Sequence, residues 1–357
     1  MFKNPGMMRR KLMDWYLAER RELPWRRTKD PYKIWISEIV LQQTRVDQGI
    51  AYYERLVNLF PDVYSLAAAT EESVLKAWQG LGYYSRARNL HHAAKDIVQR
   101  FGGLFPEEFT DIITLKGIGD YTAAAIASIA FDQPRPVLDG NVMRVVSRLL
   151  ALQELADKPP GKNRIMDFLH THIDSADPGT FNQAVMELGA MVCTPRQPLC
   201  SECPLRSLCQ ARKLGIEMEL PVKSPKALSV VRYYYYFVIL EKDKEYIYIK
   251  KRTANGIWKN MYDFPLLESE KAMGQKTVLR EALNRELPGL THYRLIRYGA
   301  PLVHKLTHRE LRIRFIEAEI SSPLKKQTGL KRIRISELPK FPFPVVVQHY
   351  LNQLTDR

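Results

Sequence analysis

The sequence has no cysteine outside one short stretch, no low-complexity tract and no apolar run approaching a membrane helix. Crossing a bilayer takes ~20 predominantly apolar residues, so no membrane association is expected. Between Met1 and Pro24 the apolar residues are broken by Arg9, Arg10, Lys11, Asp14, Glu19, Arg20, Arg21 and Glu22. That leaves no uninterrupted apolar core for a signal peptide, and the expected location is cytoplasmic. Hydrophobic residues make up 45% and charged residues 26%, which excludes a disordered, collagen-like or disulfide-scaffold chain. At 357 residues, two domains are expected.

Acidic residues are scarce in one part only. Residues 1–220 hold 28 Lys+Arg against 26 Asp+Glu, whereas 221–357 hold 26 against 13. The net charge of +15 therefore sits almost wholly in the C-terminal part. A basic surface points to a polyanion, nucleic acid first, although such surfaces also serve solubility.

The four cysteines, Cys193, Cys200, Cys203 and Cys209, are spaced C-x6-C-x2-C-x5-C. A reducing compartment disfavours disulfides. Four clustered thiolates suit zinc or an iron–sulfur cluster. Zinc sites usually pair two C-x2-C knuckles, and only one is present. Four cysteine ligands leave no open position, which makes a structural staple the expected role.

Upstream, the apolar spacing is helical. Trp35 to Val46, Ser65 to Gln79, Ser85 to Phe101, Tyr121 to Phe131, Asn141 to Leu152 and Asn182 to Val192 all read as helices. Downstream, Val230 to Leu240, Tyr246 to Lys250 and Leu311 to Ile320 read as strands, with helices at Thr277 to Glu286 and Pro344 to Leu354. The expected fold is an all-α region at 1–212, a linker at 213–229 rich in Pro, Gly and Lys, and an α+β domain at 230–357.

Leu115-Lys116-Gly117-Ile118-Gly119 lies between two helical patterns. Its glycines permit a tight turn with positive φ, and its N–H groups can hold a phosphate. Two carboxylates also stand out. Glu38 lies among Trp35, Ile39 and Val40; desolvation there would keep its proton available for donation, the alternative being a surface Glu at a helix edge. Asp139, in Val137-Leu138-Asp139-Gly140-Asn141-Val142, precedes a helix. N-capping would keep it ionised, which also suits an anion beside a sugar cation.

These motifs carry a resemblance. The cysteine spacing is similar to the [4Fe–4S] loop of the endonuclease III and adenine glycosylase family of DNA repair enzymes, with the loop at 193–209. Ser37 to Val46, Leu138 to Val142, Leu23-Pro24-Trp25-Arg26 and Gly80 to Arg88 resemble runs of the adenine DNA glycosylases, the MutY family. Lys116 stands where that family's hairpin usually has proline. The lyase branch carries a nucleophilic lysine two residues after the second hairpin glycine; here that residue is Tyr121, so no Schiff base can form there.

The resemblance implies a helix–hairpin–helix glycosylase with a [4Fe–4S] cluster and a nudix-like C-terminal domain. It implies a monofunctional, monomeric enzyme that excises adenine opposite 8-oxoguanine or guanine in double-stranded DNA during base excision repair. Glu38 would protonate adenine and later activate water. Asp139 would stabilise the sugar cation, supported by Tyr121 and Asn141. Trp25, Arg26, Leu41, Thr44 and Gln183 would line the adenine pocket; some relatives carry Glu in place of Gln183. Gln43, Tyr83 and Arg86 would engage the DNA strand, and Lys116, Gly117 and Gly119 a phosphate. Gly256 to Pro265 and Lys305-Leu306-Thr307-His308 resemble the domain that checks the opposite base, through Thr307 and His308. Leu306 replaces the family's Phe. Glu281 and Glu286 lack the R-E-x2-E-E-x-G glutamate box, so diphosphate hydrolysis is not expected. An endonuclease III-like glycosylase for oxidised pyrimidines and a non-catalytic DNA-binding protein are the competing readings. Tyr121 weighs against the first and the paired carboxylates against the second.

Overall fold

The computed structural model describes residues 5–225, 229–288, 290–324 and 329–355. The chain divides into two compact units: Met1–Ala68 with Asn89–Pro225, and Ala69–Arg88 with Lys226–Arg357.

The helices up to residue 225 are α1 Pro5–Glu19, α2 Pro31–Leu41, α3 Val46–Leu59, α4 Val63–Ala68, α5 Glu71–Ala77, α6 Ser85–Phe101, α7 Phe109–Ile112, α8 Asp120–Ala130, α9 Gly140–Leu150, α10 Gly161–His172, α11 Pro178–Met191 and α12 Gln210–Leu214. The first unit is helical, as its apolar periodicity predicts. One core joins Met8, Leu12 and Tyr16 of α1 to Val142, Val146 and Leu149 of α9, with Phe181, Ala184 and Leu188 of α11 closing it. No helix among the described residues is long and apolar enough to cross a membrane.

The second unit contains the strands β1 Val230–Glu241, β2 Tyr246–Lys251, β3 Tyr262–Asp263, β4 Leu266–Ser269, β5 Arg294–Tyr298, β6 Leu302–Lys305, β7 Arg309–Ile320 and β8 Lys331–Arg334, with helices α13 Gln275–Arg285 and α14 Val345–Thr355. Their order is β3-β2-β1-β7-β5, and β4, β6 and β8 pair with β1, β7 and β2. The central pair β1–β7 is parallel, in register from Val230↔Arg309 to Glu241↔Ile320. Val278 and Ala282 of α13 pack on Tyr235, Phe237 and Ile316. On the other face Tyr350 of α14 stacks on Phe315 at 4.0 Å. Both faces are covered, which is why Tyr234 to Leu240 is buried without a break. Glu281 of α13 and Glu286 at its C-cap are taken up by cations, Glu286 by Lys250 at 2.8 Å and Glu281 by Arg285 at 2.9 Å.

Two boundaries differ from the expected 1–212 and 230–357. Part of the expected linker, residues 226–228, lies outside the described residues. Its earlier part is not a free tether: Leu220 is buried, Val222 O accepts from Ala156 N at 2.9 Å and Ser224 N donates to Asp157 at 3.1 Å. The second difference is the assignment of Ala69–Arg88 to the second unit. There Asn260 donates to Glu71 at 2.6 Å, Tyr262 to Glu72 at 3.2 Å and Lys76 to Phe341 O at 3.1 Å. Long-range polar contacts of this kind leave no trace in helical spacing.

Candidate active site and cysteine loop

Helix α2 buries Tyr32 and the whole run Ile34–Val40. A helix apolar on every side belongs inside, and Glu38 is carried in with it, 7% exposed. Burial raises its pKa to about 7; the Tyr121 hydroxyl works against this and the nearby Asp139 adds to it. The Tyr121 hydroxyl also faces Met186 Sδ at 3.3 Å.

Asp139 is the N-cap of α9. Its Oδ1 accepts from Asn141 N at 2.9 Å and Val142 N at 2.7 Å, and its Oδ2 from Asn141 Nδ2 at 2.9 Å. Burial raises its pKa, and these three bonds with Arg144 pull it back. The two carboxylates therefore differ in kind: one has no backbone donors and the other has two. Both carboxyls are raised by burial, and the asymmetry in donors favours the proton on Glu38 over Asp139.

Arg144 orients the support. It donates to Asn141 Oδ1 at 2.9 Å, Gly189 O at 2.7 Å and Cys193 O at 2.7 Å. The amide of Asn141 is thus held with its nitrogen toward Asp139.

One cavity of about 190 Å3 is lined by Glu38, Tyr121, Asp139 and Asn141, and also by Trp25, Arg26, Leu41, Thr44 and Gln183. Ligand pockets usually run from ~300 Å3 upward, so this one suits a single heterocyclic base. All nine residues expected at the catalytic centre and base pocket thus meet at one place. The sequence reading missed Tyr16, Arg21 and Glu187. Glu187 accepts from Arg21 and Arg26 through both oxygens, at 2.6–2.9 Å for the side-chain bonds. Burial would raise its pKa, but the bonds from Arg21 and Arg26 outweigh it and bring it down to about 2. Glu187 is the one charged residue of α11, and that was the available signal. Tyr16 donates to Gln183 Oε1 at 3.2 Å.

The hairpin glycines differ from expectation. Gly117 has φ +83, and a Cβ there would meet Asn89 Cβ at 2.6 Å. Gly119 has φ −107 and is the extended N-cap of α8, so it needs no left-handed freedom. Leu115 and Ile118 anchor the turn inside, while Lys116, Gly117 and Gly119 face solvent. Gln43 and Tyr83 are both exposed, with φ +56 and +48. Left-handed backbone at non-glycine residues is costly and clusters at functional positions.

Tyr83 and Arg86 belong to the second unit. The Arg86 guanidinium lies 5.1 Å from the Trp78 ring and 5.5 Å from that of Tyr83, and burial lowers its pKa to about 10. Tyr83 and Thr307 share a hydrogen bond of 2.5 Å. Thr307 and His308 are exposed on the turn between β6 and β7, beside a cavity of about 550 Å3 that Trp258 and His304 also line. Leu306 is half-buried on the same turn.

All four cysteines line one small cavity with Arg148. Arg148, 2% exposed, donates to Cys193 Sγ at 3.3 Å and Thr194 O at 2.8 Å, fixing the start of the loop. A zinc ion needs its ligands at ~2.3 Å. No three His, Cys, Asp or Glu side chains among the described residues converge closely enough for a single ion. Four thiols around a shared space are a soft four-sulfur donor set, which suits an iron–sulfur cluster. The purified protein is expected to be brown, with broad visible absorption; a colourless protein holding one zinc per chain would contradict this.

Comparison with known proteins agrees with this geometry. Residues 36–169 match the HhH-GPD superfamily of base excision DNA repair proteins, 193–209 the iron–sulfur binding domain of endonuclease III, and 235–353 the NUDIX domain. An adenine DNA glycosylase of Buchnera aphidicola subsp. Baizongia pistaciae is 39% identical over 259 residues, covering 71% of this chain and 72% of that protein. The adenine DNA glycosylase of Rattus norvegicus is 46% identical over 214 residues, covering 57% of this chain and 42% of that protein. A solved thermostable thymine-DNA glycosylase superposes with TM-score 0.55 at 25% identity, over 59% of this chain and 97% of that one. The four cysteines are the ligands of a [4Fe–4S] cluster.

Proposed function

The chain belongs to the adenine DNA glycosylase family, and from that premise we propose that it is a monofunctional glycosylase removing adenine paired with 8-oxoguanine or guanine in duplex DNA. The observation that carries this reading is the unequal pair of carboxylates around one base-sized cavity.

Glu38, protonated near neutral pH, donates to N7 of the flipped adenine. The C1′–N9 bond weakens and positive charge grows on the sugar. Asp139, held by three hydrogen bonds, faces that charge. Glu38, now ionised, takes a proton from the attacking water. Tyr121 offers a hydroxyl where a lyase would need an amine, so the strand stays intact. Lys116 and the hairpin N–H groups hold a backbone phosphate. Gln43 and Tyr83, both exposed, each contact the DNA strand. Thr307 and His308 meet the opposite base. Cys193, Cys200, Cys203 and Cys209 would hold the [4Fe–4S] cluster, which would supply a covalent tie across the loop 193–209.

Single-turnover incubation tests the reading with three duplexes: adenine opposite 8-oxoguanine, adenine opposite thymine, and thymine glycol opposite adenine. Strand cleavage only at the first, and only after alkali, is the expected result. Cleavage without alkali, or only at thymine glycol, would overturn it.

A further inference from the structure

A purine in the Glu38 cavity is read by whatever polar groups are still able to bond to it, and most are committed. Glu187 is saturated by Arg21 and Arg26, and those guanidinium groups are donors only. Ser37 donates its hydroxyl proton to Ile34 O at 2.7 Å, so it has no proton for the base and keeps only its acceptor oxygen. Asn141 gives its nitrogen to Asp139 and its oxygen to Arg144. Adenine presents a 6-amino group, which needs an acceptor. Apart from the two catalytic carboxylates, the side-chain amide in a position to serve it is Gln183, with the Ser37 and Thr44 hydroxyls lining the same cavity.

Gln183 is an amide with one end of each kind. Its Oε1 accepts from the Tyr16 hydroxyl at 3.2 Å, and its Nε2 has a long contact of 3.4 Å to Gly179 O. The Tyr16 hydroxyl can donate or accept. With adenine, Oε1 turns to the 6-amino group while Nε2 donates to the Tyr16 oxygen. With a 6-oxo purine, Oε1 stays on Tyr16 and Nε2 donates to O6. Each orientation leaves the amide satisfied.

We propose that the cavity also accepts hypoxanthine, so that the protein excises this deaminated base as well as adenine. The inference rests on the adenine-excision reading above. The chemistry is unchanged: N7 takes the proton of Glu38 and the C1′–N9 electron pair leaves with the base. The oxygen of water bonds to C1′, and its proton returns to the Glu38 carboxylate.

The test compares single-turnover rates for adenine and hypoxanthine, each placed opposite 8-oxoguanine in the same duplex. The wild-type preference for adenine is expected to stay below about 100-fold, because no fixed group rejects O6. Gln183→Glu should raise that preference by about tenfold or more, since a carboxylate accepts from the amine and repels O6. Adenine excision with hypoxanthine spared by about 100-fold or more would overturn the inference alone, as would an unchanged ratio in Gln183→Glu. Failure to excise adenine in any mispair would instead overturn the reading on which it rests. The wild-type ratio decides the matter even if the variant does not fold.

Discussion

Glu38→Gln is expected to abolish base excision, a loss of about 10³-fold or more, while leaving affinity for duplex DNA nearly unchanged. The amide keeps the shape of the carboxyl but has no proton to give to N7. Wild-type excision should be fastest below about pH 7 and decline above it, because the acid must be protonated and its pKa is raised to about 7. The same burial sets the direction of a stability effect. Unfolded, the group titrates near 4.5. Below that pH both states hold the proton. Between 4.5 and about 7 the unfolded chain releases it while the native state keeps it, so stability falls as pH rises through this window. Glu38→Gln should therefore melt at a higher temperature than wild type at pH 8, with the difference vanishing near pH 4. Undiminished excision by this variant would defeat the proposed mechanism. A variant less stable than wild type at pH 8 would defeat the account of its burial.

Asp139→Asn is expected to cost about 10²–10³-fold in excision rate, the scale for removing an electrostatic partner of a developing charge. Asn caps helices about as well as Asp, so the bonds from Asn141 N and Val142 N can survive. The third cannot: Asn141 Nδ2 now points at the oxygen Oδ2, and a second amide nitrogen there would set donor against donor. Asn141 cannot turn its oxygen toward it without breaking the bond from Arg144. A fall in stability of about 1 kcal/mol is expected from this mismatch. The measurement is paired: excision rate at saturating enzyme and thermal unfolding on the same preparation. A rate loss no larger than the unfolding explains would reduce Asp139 to a cap.

The sequence by itself determined the inventory of this protein. Four cysteines in 193–209, the carboxylates Glu38 and Asp139, and Tyr121 in place of a lysine are residue identities at fixed spacing, as is the missing glutamate box. The helical first part and the strands that follow were equally legible, because periodicity is a local property of the chain. Tertiary structure decided which groups meet and how they are charged. Arg21 and Glu187 lie 166 residues apart in the chain, and no spacing rule joins them. Gly119 looked like Gly117 in sequence, yet it uses ordinary extended backbone as a helix cap. Tyr83 and Arg86 read as part of the helical half, but the packing of the backbone groups their segment with the sheet-containing unit. Above all, Glu38 is an acid poised near neutrality only because the packed α2 helix removes it from water. Desolvation depends on everything that surrounds a side chain, and a linear sequence names the side chain without its surroundings.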